Sequence, residues 1–397
     1  MTHLKGITWN HSRGFTSIVG VSQRYSELHP DVTIDWEKRS LTDFESAPIA
    51  ELATTYDLLI IDHPWAGFAA RNHVLMPLQE LLSPEFLADQ RVNSVGASFD
   101  SYDFGGFQSA LAIDAASPVA VWRPDMLCAD DVPTNFEEVL ELARDGGVAY
   151  AATPQYLLMD FYAFCNTAGG SVFPAEFGGA AGSGVVDHRV GTQVLEDMRK
   201  LAQLCPPDIF EWNPIRLHEE LATSSELRYC PFVYGYVNYS RRGYGAHRLA
   251  AGAIPQYRGT MLTGVLGGTG LAISAATRHS DVAADFVQFA LSPAVQTMLY
   301  PDCGGQPGYK AAWQDDVNNA ATLDFFKNTL TSLDATWMRP RYPGYLYFQD
   351  RAGAPIRDFV RDGGNPEEVL DTLDALYRES KEHGARNAAA TPSAKVR

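Results

Sequence analysis

The centre of a β-sheet is predicted by Asp57-Leu58-Leu59-Ile60-Ile61-Asp62, four consecutive apolar residues enclosed by two acids. A strand that is apolar at every position is typical of a sheet covered on both faces. The run leads into Asp62-His63-Pro64-Trp65, and in open α/β sheets ligands bind at the carboxyl ends of the strands. We therefore expect groups of a binding site directly after residue 61.

Strands and helices alternate around this central run, which is the pattern of layered α/β proteins. Leu4–Trp9 predicts the first strand and Phe15–Leu28 the first helix. Val32–Trp36 alternates between apolar and polar residues and predicts a second strand. Further on, Ser109–Trp122 predicts that the chain crosses into another sheet. Near the carboxyl terminus, Asn365 is predicted to cap a last helix.

Length and composition bound the classes of protein that this chain can be. It has 397 residues, of which 46% are hydrophobic, so we expect a folded protein with two or three cores or two large lobes. The formal net charge of −17 argues against nucleic acid as a partner, because binding to phosphates requires Lys and Arg. No apolar run approaches the roughly 20 residues that cross a bilayer.

The amino terminus shows no signal peptide, because no basic segment with a long apolar segment behind it precedes Leu4. We expect either export by a leader that is missing from this sequence or a protein that stays inside the cell.

No motif for a cofactor or a metal ion is found. The segment Gly267–Gly270 lacks the Lys-Ser/Thr pair of a phosphate loop, and Ile273 occupies the place of the third glycine of a dinucleotide fingerprint. Its glycines either let the backbone approach a ligand or form a plain tight turn. His-Glu-x-x-His is absent. The five cysteines are widely spaced and never form Cys-x-x-Cys, so we expect buried thiols.

Aromatic and polar residues occur together at predicted strand ends and in loops with Gly or Pro. Flat rings pack against the C–H faces of a sugar, and neighbouring polar side chains pair with its hydroxyls. The alternative for each ring is packing in the core or between lobes. Arg339 and Arg341 could clamp an anionic group, although a surface ion pair is at least as good an interpretation for Arg339. The rings are Trp9, Trp65, Tyr156, Tyr236, Tyr342 and Tyr345, beside Asn10, His11, Asp62, His63, Asn238, Gln306 and Arg341.

Taken in order, these segments resemble the family 1 extracellular solute-binding proteins, the carbohydrate receptors of ABC importers. The resemblance extends over nearly the whole chain to about Glu379, and it depends on the order and spacing of short segments. These are Leu4–Trp9, Tyr25–Pro30, Tyr56–Asp62, Leu266–Ser274, Ala283–Pro293 and Gln306–Gly308.

The resemblance implies a two-lobed α/β clamshell of the periplasmic-binding-protein type, with several chain crossovers and an inter-lobe ligand cleft. We expect lobe 1 at residues 1–113 and 262–304, lobe 2 at 114–261 and 305–384, and a disordered tail at 385–397. The ligand-binding residues carried over are Trp9, Asn10, His11, Arg13, Asp62, His63, Trp65, Asp114, Gly268 and Thr269, and those added from the second lobe are Tyr156, Tyr236, Asn238, Gln306 and Arg341.

The function implied is reversible capture of a sugar or sugar-like solute by hinge closure, followed by delivery to the permease subunits of an ABC transporter. No catalysis, cofactor or metal is expected, and receptors of this kind tend to be periplasmic monomers. Two alternatives stay open. One is a sugar-acting enzyme on a two-domain α/β scaffold, for example a glycoside hydrolase that uses carboxylates such as Asp62, Asp114 and Asp160. The other is a cytosolic sugar sensor that signals through a protein partner.

Overall fold

The computed structural model describes residues 1–180, 182 and 184–390. The strands are β1 Thr2–Trp9, β2 Val32–Arg39, β3 Leu58–Ile61, β4 Asp103–Phe104, β5 Phe107–Gln108, β6 Leu111–Ala116, β7 Pro118–Trp122, β8 Tyr229–Tyr234, β9 Ala250–Gly252, β10 Gln256–Tyr257, β11 Thr260–Met261 and β12 Gly267–Ile273. The helices are α1 Phe15–Leu28, α2 Leu41–Ser46, α3 Ile49–Ala53, α4 Ala66–Asn72, α5 Pro84–Asn93, α6 Ser98–Ser101, α7 Phe136–Arg144, α8 Pro154–Thr167, α9 His188–Ala202, α10 Pro214–Thr223, α11 Ser280–Ala290, α12 Tyr300–Asp302, α13 Lys310–Gln314, α14 Asp316–Ala321, α15 Phe325–Asp334, α16 Tyr345–Asp362 and α17 Pro366–Ala390.

The elements predicted from local pattern are confirmed, since β1, α1, β2 and β3 lie where the sequence places them. The last helix begins as predicted, and Asn365 Oδ1 accepts a hydrogen bond of 3.1 Å from the backbone N–H of Glu367. The helix continues to Ala390, so 385–390 of the predicted disordered tail are helical. Alanine has the highest helix propensity and prolongs the helix there without an apolar stripe. Residues 391–397 of that tail lie outside the described residues.

The first lobe is built on a five-stranded mixed sheet with the order β2-β1-β3-β12-β6. β1 runs parallel to β2 and β3, whereas β12 runs antiparallel to β3 and β6. The carboxyl ends of β1, β3 and β6 therefore meet the amino end of β12 at one edge of the sheet. All four residues of β3 are buried: Leu58 and Ile60 belong to the core under α1 and α11, and Leu59 and Ile61 to the core under α3 and α4.

The second lobe contains an antiparallel sheet with the order β8-β7-β9. Its hydrophobic core is the largest one formed by the described residues, and it includes side chains of α8, α9, α16 and α17. The short strands β4 and β5 form one ribbon, and β10 and β11 form another. No helix in the described part of the chain is long and apolar enough to cross a membrane.

The chain passes between the lobes at three places in the described residues. The first is Ser117, between β6 of one sheet and β7 of the other. The second lies at 266/267, because Leu266 packs in the core of the second lobe while β12 begins at Gly267. The third follows Gly308, whose N–H still donates to Ile113 of β6. The predicted lobe boundaries at 113/114, 261/262 and 304/305 fall a few residues before these crossings.

Candidate functional site

A cavity of about 70 Å³ lies between the lobes, at the edge of the first sheet where the strand ends meet. The first lobe contributes these strand ends and α2, and the second contributes the first turns of α8 and α10, the end of β8 and the loop between α15 and α16. The wall consists of Trp9, Arg13, Leu41, Phe44, Glu45, Asp62, Ala116, Gln155, Tyr156, Met159, Pro214, Tyr234, Tyr236, Gly267, Gly268, Thr269 and Arg339.

Two glycines at the start of β12 have close neighbours at this wall. Gly268 has a φ of +96°, and a Cβ atom at this position would lie 2.4 Å from the carbonyl oxygen of Asp114. A Cβ atom on Gly267 would lie 2.6 Å from the ring of Tyr234. A side chain at either position would strain the strand or displace the ring. Both glycines belong to β12, beside the cavity, so the tight-turn interpretation is wrong.

Arg13 and Asp114 form the first of two buried ion pairs at the cavity. Arg13 Nε and Nη2 donate to the two carboxylate oxygens at 2.8 and 2.5 Å. Nη1 donates to the carbonyl oxygen of Gly235 at 2.8 Å, and the guanidinium lies 4.7 Å from the ring centre of Tyr236. Arg13 therefore ties the first lobe to the end of β8 in the second lobe.

Arg339 and Asp62 form the second ion pair. Arg339 Nη2 lies 2.8 Å from both oxygens of Asp62, and Nη1 donates to Gln349 Oε1 at 2.9 Å. The backbone N–H of His63 donates to Asp62 Oδ1 at 2.8 Å. Burial by itself would raise the pKa of Asp62, but Arg339 and His63 outweigh burial and hold this pKa well below its usual range. Asp62 is therefore ionised, and its charge is matched by Arg339.

Glu45 and Tyr156 face each other across the cavity from opposite lobes. The hydroxyl of Tyr156 on α8 donates to Glu45 Oε1 on α2 at 2.5 Å. Burial raises the pKa of Glu45 to about 8, and Asp62 adds to this effect. The hydrogen bond from Tyr156 and the charge of Arg339 act in the opposite direction without reversing it. At neutral pH the Glu45 carboxyl is therefore largely protonated, and the ionised groups of the wall are matched in pairs.

Aromatic rings form much of the remaining wall. Trp9 and Phe44 are tilted against each other with ring centres 5.4 Å apart, and Tyr156 and Tyr234 meet edge to face at 6.0 Å. Tyr236 covers the Arg13 guanidinium. Flat apolar faces thus alternate with polar groups around the cavity.

Three polar atoms of the wall are buried and have no hydrogen-bond partner in the part of the chain that the structure describes. They are Trp9 Nε1, Thr269 Oγ1 and Arg339 Nε. A buried donor that lacks a partner costs about 1–3 kcal/mol. The protein therefore leaves these three atoms of wall residues without a partner.

The structure brings seven of the fifteen predicted site residues to the cavity wall. They are Trp9, Arg13, Asp62, Tyr156, Tyr236, Gly268 and Thr269. The other eight do not line this cavity, and they are Asn10, His11, His63, Trp65, Asp114, Asn238, Gln306 and Arg341.

Three of these eight support residues of the wall. Asp114 lies behind Arg13 as its counter-ion. His63 is fully buried beside Asp62, and burial followed by the charge of Arg339 lowers its pKa to about 4. The ring of His11 contacts the ring of Tyr236 edge to face, with ring centres 4.6 Å apart.

The other five lie further from the cavity. Gln306 joins the lobes, since it donates to Ala115 O and accepts from Val237 N–H, and Asn238 donates to the carbonyl oxygen of Gly304. Arg341 donates to backbone carbonyl oxygens of residues 100, 101 and 103. Trp65 packs against Phe68, and Asn10 is exposed.

Ten wall residues were not among the predicted site residues, and those with an aromatic or polar side chain are Phe44, Glu45, Gln155, Tyr234 and Arg339. Tyr234 and Arg339 each lie two positions from a predicted residue, Tyr236 and Arg341, which is the signal that could have found them. The predicted anion clamp at Arg341 is not formed at the wall, because its guanidinium is held by backbone carbonyls and Arg339 occupies the wall instead.

Neither a metal cluster nor a disulfide occurs in the described residues. Cys165 and Cys230 are buried as expected, whereas Cys205 and Cys303 are partly buried. Cys128 is exposed, so the expectation of a buried thiol is wrong there, since it lies in the loop after β7.

Comparison with known proteins places these features in a family. The model of the bacterial extracellular solute-binding protein family matches residues 21–324. MalE3 of T. maritima with bound maltose is 16% identical with a TM-score of 0.78, over 96% of this chain and 100% of that one. An ABC transporter solute-binding protein of Agrobacterium radiobacter K84 in complex with ribitol is 19% identical with a TM-score of 0.78, over 96% and 98%. A solute-binding protein of Thermotoga lettingae TMO bound with alpha-D-tagatose is 14% identical with a TM-score of 0.80, over 96% and 100%. At these identities the likeness shows the two-lobed fold.

Proposed function

Because the chain belongs to the bacterial extracellular solute-binding proteins, we propose that it captures an uncharged sugar or sugar alcohol between its lobes and delivers it to the permease of an ABC importer. The site of action is then the periplasm or the outer face of the cell. The similar structures hold maltose, ribitol and alpha-D-tagatose, which are all uncharged polyhydroxylated compounds.

The observation that carries this proposal is the charge balance of the cavity. Arg13 is neutralised by Asp114 and Arg339 by Asp62, and burial keeps Glu45 largely protonated. A wall with matched charges offers no unbalanced ion to an acidic or basic ligand, and burying an unmatched charge is costly. An uncharged solute with many hydroxyls fits the remaining features, which are aromatic faces and the free polar atoms of Trp9 and Thr269.

Contacts between the lobes support capture by closure. Arg13 reaches Gly235, Tyr156 reaches Glu45, and Arg339 reaches Asp62, so groups of both lobes surround one space. A ligand that contacts both lobes binds the closed form more tightly than the open form, and this difference in affinity shifts the population towards closure. The closed form is then the species that the permease recognises.

The same pairing argues against the use of Asp62 and Asp114 as the two carboxyls of a glycoside hydrolase. Such enzymes need one carboxyl as the acid and a second as base or nucleophile. Arg339 and His63 hold Asp62 ionised against the effect of burial, so this group cannot donate a proton. Asp62 and Asp114 each accept two bonds from an arginine, which occupies the lone pairs of a nucleophile. We therefore infer that the solute leaves unaltered.

Calorimetric titration of the full chain with maltose, D-tagatose and ribitol tests the proposal. We expect at least one of them to bind with micromolar affinity or better, about −8 kcal/mol, and to be recovered unchanged. Trp9→Ala should weaken that binding by about tenfold or more, because it removes both a ring face and a free N–H. The matched control is Trp36→Ala on β2, away from the cavity. Absence of binding by all three probes, hydrolysis of maltose, or equal affinities for the Trp9 variant and wild type would contradict the proposal.

A further inference from the structure

One buried carboxyl group near the cavity has no role in the site described above. Asp160 lies on α8, in the run Tyr156–Cys165 in which every residue is buried and Asp160 is the one carboxyl side chain. It is 8% exposed. In the described part of the chain neither a hydrogen bond nor an ion pair is formed by its carboxyl, and burial is the sole influence on its raised pKa.

The Asp160 carboxyl faces a recess that adjoins the main cavity. This recess is small, with room for about one water-sized group, and its other walls include Pro118, Phe232 and Val233. It shares Tyr156, Tyr234 and Pro214 with the main cavity. Residues four apart on a helix lie on the same face, so Asp160 lies one turn further along α8 than Tyr156.

A largely buried carboxyl that lacks a hydrogen-bond partner is expected to lower the stability of the protein. An apolar residue of similar shape would fill the position without an unsatisfied polar group, and such replacements are neutral or stabilising. Positions that break the rule of satisfied buried polar groups are expected at functional sites. A hydrogen-bond partner from outside the protein can approach this carboxyl through the recess.

We propose that Asp160 is a ligand-binding residue, and that its carboxyl forms a hydrogen-bonded pair with a hydroxyl group of the uncharged solute that reaches the recess. This inference rests on the proposed function and adds a specificity-determining residue to it. A protonated carboxyl offers one O–H donor and one acceptor, and a hydroxyl offers the same. The pair is therefore satisfied on both sides without burial of a charge.

The test compares two substitutions at Asp160 in the full chain, with maltose, D-tagatose and ribitol as probes. Asp160→Leu keeps the approximate shape and removes the polar group, whereas Asp160→Asn keeps a neutral donor and acceptor. We expect Asp160→Leu to weaken the binding of the probe that wild type binds by about 10- to 100-fold, and Asp160→Asn to weaken it by about threefold or less. Asp371→Leu, an exposed position on α17, is the matched control and should leave affinity unchanged.

Two results would overturn the inference while leaving the proposed function intact. If Asp160→Leu binds the probe as wild type does, the carboxyl does not contact the solute. If Asp160→Asn loses as much affinity as Asp160→Leu, a carboxylate charge is required and the partner is a cationic group.

If no probe binds, the proposed function is contradicted. The inference about Asp160 can still be tested by a measurement without solute. Because the carboxyl lacks a partner in the protein, Asp160→Leu should raise the melting temperature of the ligand-free chain. A lower melting temperature would show that a protein group satisfies Asp160, and the inference would then fall.

Discussion

Replacement of Glu45 by Gln is expected to remove a pH dependence of solute binding. With the lobes in contact, as in this structure, burial raises the pKa of Glu45 from its ordinary value of 4.5 to about 8. When the lobes separate, this carboxyl loses its contact with Tyr156 and becomes exposed, so its pKa returns towards 4.5. A group whose pKa is higher in the closed form favours closure at low pH, and this contribution is lost as the pH rises towards about 8.

The magnitude follows from proton linkage. Between pH 4.5 and about 8 the closed form binds up to one proton more than the open form, so affinity falls at most about tenfold per pH unit. From pH 5.5 to 7.5 the upper limit is about 100-fold, or about 2.7 kcal/mol. Glu45 is partly exposed, and solvent screening reduces the effect, so we expect a decrease of about tenfold.

The charged groups that face Glu45 keep this titration separate from others. Asp62 is held ionised by Arg339, and the pKa of His63 is lowered to about 4, so neither group changes charge between pH 5.5 and 7.5. Asp350 faces Glu45 from α16 and raises its pKa further.

Calorimetry with the probe that binds, carried out in two buffers of different ionisation enthalpy, measures both affinity and proton uptake. Wild type should take up a fraction of a proton on binding near pH 6.5, and Glu45→Gln should take up none and bind with an affinity independent of pH. Glu51→Gln, on the exposed side of α3, is the control for loss of one carboxylate and should behave as wild type. A pH-independent affinity in wild type, or an unchanged slope in Glu45→Gln, would refute the reasoning.

Three further predictions follow from named contacts. Asp114→Ala should lower the free energy of unfolding by about 3–5 kcal/mol, because it leaves the buried Arg13 guanidinium without a counter-ion; urea titration measures this, and combining Arg13→Met with Asp114→Leu should recover most of the loss. Gly267→Val should abolish solute binding in calorimetry, since its Cβ would displace the Tyr234 ring, and retained affinity would contradict this. Burial lowers the pKa of His188, but two carboxylates of α17 outweigh burial and raise it; the stability that wild type gains over His188→Gln should therefore be present at pH 5 and decline as the pH rises through the raised pKa, as thermal melts at several pH values will show.

Much of the fold could be predicted because its signals are local. Four consecutive apolar residues predict a central strand, and β3 is buried on both faces. The amphipathic pattern of α1 and the cap at Asn365 likewise depend on neighbours in sequence. The exact positions at which the chain passes between lobes could not be predicted from local pattern. Leu266 belongs to the core of one lobe, and Gly267 begins a strand in the sheet of the other. This change of lobe depends on packing between segments that are distant in sequence.

The positions of strand ends account for part of the cavity wall. Trp9 ends β1 and Asp62 directly follows β3. These positions bring both residues to the edge of the sheet where the parallel strands end. Glu45 lies on a helix of six residues, too short for a periodic signal. Arg339 and Arg341 are two positions apart in one loop, and their roles differ because one side chain meets a carboxylate and the other meets backbone carbonyls. Sequence pattern does not fix the direction of side chains in a loop.

The pairing within the cavity also determines where selectivity for the solute must come from. The bonds that join the lobes, such as those of Arg13 to Gly235 and of Tyr156 to Glu45, are formed between protein groups alone, so they favour closure equally for every solute. A solute can favour closure further only through groups that these bonds leave free. In the described residues these include the indole N–H of Trp9, Thr269 Oγ1, Arg339 Nε and, by our inference, the carboxyl of Asp160. Because these groups are fixed in different walls, a solute is selected by the spacing of its hydroxyls and not by its charge.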